Sequence, residues 1–113
     1  MKRVYIAGPM TGYPGFNYAA FDDAAGRIRF THADAKVINP ADNHNRQTDL
    51  PRWMYISKTL DQIRGLANLA YSTAADSMVA VLDGWRDSPG ARLEVDAARQ
   101  VVLPVYPLEC ILY

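Results

Sequence analysis

The run Met78-Val-Ala-Val-Leu-Asp-Gly-Trp-Arg-Asp-Ser-Pro-Gly-Ala-Arg-Leu-Glu94 constrains this chain more than any other. Met78 to Leu82 is a short apolar, β-branched stretch of the kind that forms a buried strand. Asp83 ends it and Gly84 lets the chain turn. Ser88-Pro89 then marks a helix start, with a hydroxyl at the N-cap and proline at the first helical position, where its missing N–H costs nothing. Gly90 and Glu94, four residues apart, fall on one face of that helix. The segment therefore gathers Asp83, Asp87 and Ser88 at the end of a strand, with Glu94 on the helix that leaves it. The carboxyl ends of parallel strands are where open α/β sheets bind ligands.

The rest of the chain repeats this strand-to-helix pattern. Val4-Tyr-Ile-Ala7 reads as a first strand, and Gly8-Pro-Met-Thr-Gly-Tyr-Pro-Gly15 as a loop directly after it. Such a loop lets backbone approach a ligand closely, although its spacing matches neither the dinucleotide fingerprint nor the Walker A loop. Asn17 is placed to cap a helix from Tyr18 to about Phe30, with Phe21, Ala24, Ala25 and Ile28 on its inner face and Asp22 and Asp23 solvated in its first turn. A second strand over 35–38 stops at Asn39-Pro40. The polar stretch 41–51 has no periodicity, and a loop of that length in so small a domain is functional or mobile. Its His44 could touch a ligand, although a lone histidine in a polar loop is more often solvated, and His32 has less still to recommend it.

A long helical pattern begins at Pro51 and runs through Trp53, Ile56, Leu60, Ile63, Leu66 and Leu69, with Ser72 to Asp76 closing it. After the Met78–Leu82 strand, the helix bearing Glu94 continues through Val95 and Ala98. Val102 to Tyr106 reads as a fourth strand, placed at an edge by Pro104, and the tail from Pro107 either adds a fifth strand or packs as coil. Alternation of this type predicts a single α/β domain over 1–113, a flavodoxin-like three-layer sandwich with a mostly parallel four- or five-stranded sheet. Its crevice brings the Gly8–Gly15 loop and the Asp83–Glu94 segment together.

Charge balance narrows the function. Twelve basic residues face twelve acidic ones among 113, which argues against a nucleic acid polymer as ligand. No apolar run is long enough for a membrane span, and nothing at the start resembles a signal peptide. The single cysteine, Cys110, has no disulfide partner and no ligand-spaced neighbour, and reads as a packed residue near the terminus. A cytoplasmic setting fits these features. No metal or other cofactor is called for.

Three acids on one rim, Asp83, Asp87 and Glu94, suit a division of labour between an ionised nucleophile and a protonated general acid, as in glycosyl transfer with retention. The same residues also suit a purely structural use, with Asp87 supporting the helix N-terminus and Glu94 paired to an arginine. Three blocks carry a family resemblance: Val4-Tyr-Ile-Ala-Gly-Pro-Met-Thr-Gly12, Asn39-Pro-Ala-Asp42 and Leu82 through Glu94. In order and over nearly the whole chain they resemble the nucleoside 2-deoxyribosyltransferase-like proteins of the DUF4406 group, small proteins of phages and bacteria.

That resemblance implies a flavodoxin-like fold and an activity on the N-glycosidic bond of a nucleoside or nucleotide, by hydrolysis or 2-deoxyribosyl transfer. It implies Glu94 as the nucleophile and Asp83 as the acid near the nucleobase. Asp87 and Ser88 match the loop that meets the sugar or its 5′ substituent, with Gly90 behind them. Tyr5, Gly8, Pro9 and Met10 match the edge of the first strand, beside the ligand. Arg86 and Arg92 depart from the pattern by placing cations near the acids, where either could bind a 5′-phosphate or other anion, or equally stand as a solvated surface charge. The superfamily also points to homo-oligomers, and Trp53, Tyr55 and Ile56 offer an apolar surface for self-association. The alternative function is a non-catalytic protein that sequesters or senses a nucleotide-derived small molecule.

Overall fold

The computed structural model describes residues 2–73 and 76–112, and the side chains of these outside 69–76. Four strands alternate with four α-helices: β1 (Lys2–Ala7), α1 (Tyr18–Thr31), β2 (Lys36–Ile38), α2 (Arg52–Thr73), β3 (Asp76–Val81), α3 (Pro89–Gln100), β4 (Val105–Pro107) and α4 (Leu108–Ile111). All strand pairs are parallel, in the order β2-β1-β3-β4. The chain steps from β1 outward to β2, then crosses back over β1 to β3 and on to β4. Right-handed crossovers put the helices of opposite steps on opposite faces. The result is a flavodoxin-like three-layer sandwich, with α1 on one side of the sheet and α2 and α3 on the other.

Strand alternation sorts the core accordingly. Val4 and Ile6 of β1, with Ala80 and the following Leu82 from β3, pack on Phe21, Ala24, Ala25 and Ile28 of α1 and on Ile111 of α4. Tyr5, Ala7, Val79 and Val81 point the other way, onto Ile63 and Leu66 of α2 and Val95 and Ala98 of α3. Each large side chain so buried contributes roughly 1.5–3 kcal/mol of transfer free energy.

Several expectations are corrected. Asn17 precedes α1 but does not cap it; its backbone is left-handed (φ 60°) and its amide donates to the Pro9 carbonyl oxygen instead, at 2.9 Å. Asp22 and Asp23 lie beyond the first turn. Asp23 pairs with Arg27, and Asp22 accepts from Asn39 and Arg46. Much of the 41–51 stretch is ordered as 3₁₀ turns over Pro40–Arg46, started by the Asn39 side chain accepting from the Ala41 N–H. His44 and His32 are half-buried, with Nε2 atoms 3.2 Å from the Met54 carbonyl and 2.7 Å from the Ile111 carbonyl. On α2, Ile63 and Leu66 are buried, but Trp53 is 68% exposed. The expected contact of Leu69 and the closing residues 74 and 75 lie outside the described residues.

The end of the chain differs more. β4 begins three residues later than its apolar pattern suggests, because α3 ends in a Schellman motif: Val102 N–H donates to Arg99 O and Leu103 N–H to Ala98 O, at 3.1 and 2.9 Å. Neither a fifth strand nor coil follows; 108–111 is a short helix. Cys110, expected to be packed, is exposed on it while Ile111 turns inward.

Candidate functional site

The chain reverses its lateral direction between β1 and β3, and loops leave the carboxyl ends of these two strands there, the position at which doubly wound sheets bind ligands. Gly8 ends β1 where a Cβ would lie 2.9 Å from the Leu82 Cβ, so only glycine lets the two strand ends close up. Gly84 turns the chain out of β3 with φ 83°. A 3₁₀ turn over Trp85–Asp87 follows, and then α3 starts as its sequence dictates, with the Ser88 hydroxyl accepting from the Ala91 N–H at 3.3 Å and Pro89 in the first turn.

Opposite faces of strand and helix then meet. Tyr5 points from β1 toward α3, and its hydroxyl donates to Glu94 Oε2 in a short hydrogen bond. The hydroxyl of the buried Thr59 of α2 lies near the Tyr5 phenol and donates to the Ile56 carbonyl at 3.1 Å. Burial pushes the Glu94 carboxyl up to about 8, against the opposing pull of the Tyr5 hydrogen bond. Burial, and then the neighbouring Glu94, raise the Tyr5 phenol well above its ordinary value. In the free protein at neutral pH, Glu94 is therefore mostly a neutral acid. Among the described residues it makes no ion pair, so the structural use of Glu94 as an arginine partner is not what the fold builds.

Glu94 opens onto a cavity of about 220 Å³. Gly8, Met10 and Thr11 form one side, Ser88 at the α3 N-cap with Gly90 and Ala91 of α3 another, and Phe16, Leu50, Arg52, Tyr55, Ile56 and Thr59 the rest. Two left-handed turns, Gly15–Asn17 and His44–Arg46, brace the aromatic wall. Left-handed backbone costs an L-residue roughly 1–2 kcal/mol, so these turns need fixing from outside. The contacts are there: Phe16 and His44 both pack edge-on against Tyr55, with ring centroids 5.4 and 5.5 Å away. Arg46 bonds Asp22 and Asp42 at 2.6 and 2.7 Å and lies over the Tyr18 ring. The Tyr55 hydroxyl donates to Gln47 O at 2.7 Å and accepts from the Leu50 N–H at 3.0 Å. Tyr55 thus ties the segment after β2 down beside the cavity.

Of the residues singled out from sequence, Gly8, Met10, Ser88, Gly90 and Glu94 line this cavity, with Tyr5 behind it. Pro9 and Asp87 line an adjoining depression that shares Thr11, Arg52, Ser88 and Gly90. Asp83 and Arg86 line neither. They face a separate polar depression with Arg99 and Glu109, and Arg86 stacks on Trp85 at 4.9 Å. The three acids expected on one rim are therefore divided. Gly84 turns the chain directly after Asp83, leaving that residue at the tip of β3 while the 3₁₀ turn carries the chain away to α3. Arg92 is exposed and outside the cavity; Arg52 is the guanidinium that lines it.

Sequence reasoning missed Phe16, Arg52 and Thr59 as cavity residues and assigned Tyr55 and Ile56 to an association surface. The one available signal was the polar 41–51 stretch, whose length pointed to a functional segment ending beside Arg52. Among the described residues no group of three or more His, Cys, Asp or Glu is placed to hold a metal ion, and no helix is long and apolar enough to cross a membrane.

Fold and site together define a flavodoxin-like α/β protein with a half-buried carboxyl in the crevice at its strand ends. The chain belongs to the DUF4406 family, described as a domain of unknown function, whose sequence model matches residues 2–106. No curated protein and no solved structure matches it.

Proposed function

We propose that this protein cleaves the N-glycosidic bond of a nucleoside or nucleotide, by hydrolysis or 2-deoxyribosyl transfer, with Glu94 as the nucleophile. The observation that carries the reading is the Glu94 carboxyl itself, half-buried at the cavity wall and held by the Tyr5 hydroxyl. A carboxylate there meets the cation-like sugar of the transition state and traps it as an ester, which water or an acceptor then opens with net retention. The Tyr5 O–H fixes one oxygen and leaves the other to attack. The cavity residues Gly8, Met10, Ser88 and Gly90 are those that the deoxyribosyltransferase-like resemblance assigns to the ligand. Arg52 takes the role that sequence offered to Arg86, as the cation beside a 5′ substituent.

Because burial pushes Glu94 up to about 8 in the free protein, kcat/KM for a neutral substrate should rise with pH up to that value, as the nucleophile ionises. The test is release of free base from a panel of nucleosides, deoxynucleosides and their monophosphates. Glu94→Gln should lower turnover by about 10³-fold or more, since the amide cannot form the ester. Mass spectrometry with a slow 2-fluoro-substituted substrate should find a sugar adduct on Glu94. Undiminished activity in Glu94→Gln overturns the assignment. Tight binding of one nucleotide with no turnover of any would instead mark a binding protein.

A further inference from the structure

Among the described residues, a single carboxyl, that of Glu94, lines the cavity. Of the titratable groups that reach it, Glu94 comes from α3 and Arg52 and Tyr55 from α2, with Tyr5 of β1 behind Glu94. Neither phenol nor guanidinium is an acid of useful strength near neutral pH, and burial makes the Tyr5 phenol weaker still. The Tyr55 proton is already given to Gln47 O. Asp83, the acid that the resemblance assigns to the leaving base, lines a different depression, and Asp87 lines the adjoining one, beyond the shared residues Thr11, Arg52, Ser88 and Gly90. A neutral nucleoside leaves its base as an anion unless a proton arrives at the ring nitrogen, and among the described residues the cavity lining places no second acid there to give it.

We infer that the preferred substrates are N-glycosides whose base carries a fixed positive charge, of the pyridinium or N7-alkylated purine type, because the cavity sets one carboxyl beside an aromatic wall and, among the described residues, has no second acid in its own lining for a departing base. The inference rests on the glycosyl-transfer reading of Glu94 and names the substrate class for it. In the first step a Glu94 carboxylate oxygen bonds to C1′. The C1′–N bond breaks with its electron pair passing to the ring nitrogen, which cancels the positive charge, and the base leaves neutral without gaining a proton. In the second step the oxygen of water bonds to C1′, the ester C–O pair returns to Glu94, and the water's surplus proton goes to solvent.

Two features of the site fit this class. Phe16 and Tyr55 line the cavity, their rings in edge contact with one another, and aromatic rings attract a desolvated cation. A cation brought beside Glu94 also favours its ionised form, so the substrate itself generates the nucleophile that burial otherwise keeps protonated. Arg52, the opposing charge, lies in the wall shared with the adjoining depression, whereas Phe16 and Tyr55 belong to the first cavity alone.

The test uses matched pairs that differ in charge: guanosine against N7-methylguanosine, and the 3-carbamoylpyridinium riboside against its neutral dihydro form, each with and without a 5′-phosphate. Because cationic N-glycosides also react faster in water, each rate is divided by its own uncatalysed rate. The expected result is an enhancement at least about tenfold larger for the cationic member of a pair, together with release of roughly one proton on binding below pH 8. Glu94→Gln should reduce affinity for the cationic member about tenfold relative to the neutral one. Equal or reversed enhancements, with base still released, overturn the inference and leave the glycosyl-transfer reading standing. No release from any pair overturns both.

Discussion

The two faces of the sheet are built from the same strands yet have different chemistry. On the α1 face, Val4, Ile6, Ala80 and Leu82 meet Phe21, Ala24, Ala25 and Ile28, an apolar interface from edge to edge. On the other face Tyr5 stands among Ala7, Val79 and Val81 and engages Glu94 and Thr59. One residue along β1 separates the two environments. The contrast teaches that stability and chemistry are divided by strand parity: one side holds the fold, and the other tolerates a carboxyl that burial forces out of its ordinary ionisation.

That division breaks most sharply at Phe21. Phe21→Ala should cost about 3–5 kcal/mol, the usual price of emptying an aromatic site in a packed core. Its effect should be nearly the same at pH 5 and pH 9, measured by chemical denaturation, because the buried side chains of the cluster that holds Phe21 are all apolar. A pH-dependent loss would show that the faces are coupled.

Glu94 gives the next effect, with the opposite character. Its carboxyl titrates near 4.5 in an unfolded chain and at about 8 in the fold. Between those values the folded state holds the extra proton, so stability declines as pH rises from about 4.5 through 8 and is level on either side. Glu94→Gln removes the titration. The variant should gain on wild type across that window, reaching roughly 2–4 kcal/mol by pH 9. Tyr5→Phe should move the upper end of the window to higher pH, since the hydrogen bond that favours the carboxylate is gone. A pH-independent difference between wild type and Glu94→Gln would place Glu94 in water and end the contrast between the faces.

The smallest effect lies on neither face. Val102 is 86% exposed and held at φ 62°, where a β-branched residue is strained. It occupies the position after the α3 C-cap that favours glycine. Val102→Gly should stabilise the protein by about 0.5–1.5 kcal/mol, net of the greater freedom of glycine in the unfolded chain. Thermal unfolding at pH 5 and pH 9 should show the same gain, as expected of a site remote from Glu94.

Much of this architecture is written locally. The hydroxyl and proline at Ser88-Pro89 start α3 wherever that helix is placed, and the spacing of Phe21, Ala24, Ala25 and Ile28 marks the inner face of α1 without reference to what it covers. Alternation of strands and helices specifies a parallel sheet, and the four-residue spacing puts Gly90 and Glu94 on one face. These features depend on neighbours within a turn or two, which is why they can be read in order. Val102 shows the boundary: its apolar character suggests a strand, and the helix-ending hydrogen bonds to Ala98 and Arg99 override it.

Tertiary structure decided which side chains share the cavity. Nothing local says that Tyr5 reaches Glu94, 89 residues away, or that Phe16 and His44 converge on Tyr55 from two separate left-handed turns. Nor does spacing reveal that Asp83, eleven positions before Glu94, lies outside the cavity that Arg52 helps to form. Sequence by itself determined the elements and the faces they bury, because propensity, capping and periodicity act over a few residues. The site required the strand order β2-β1-β3-β4 and the packing of α2 and α3 on one side of it. The burial that pushes Glu94 up exists only once those distant segments have closed around it.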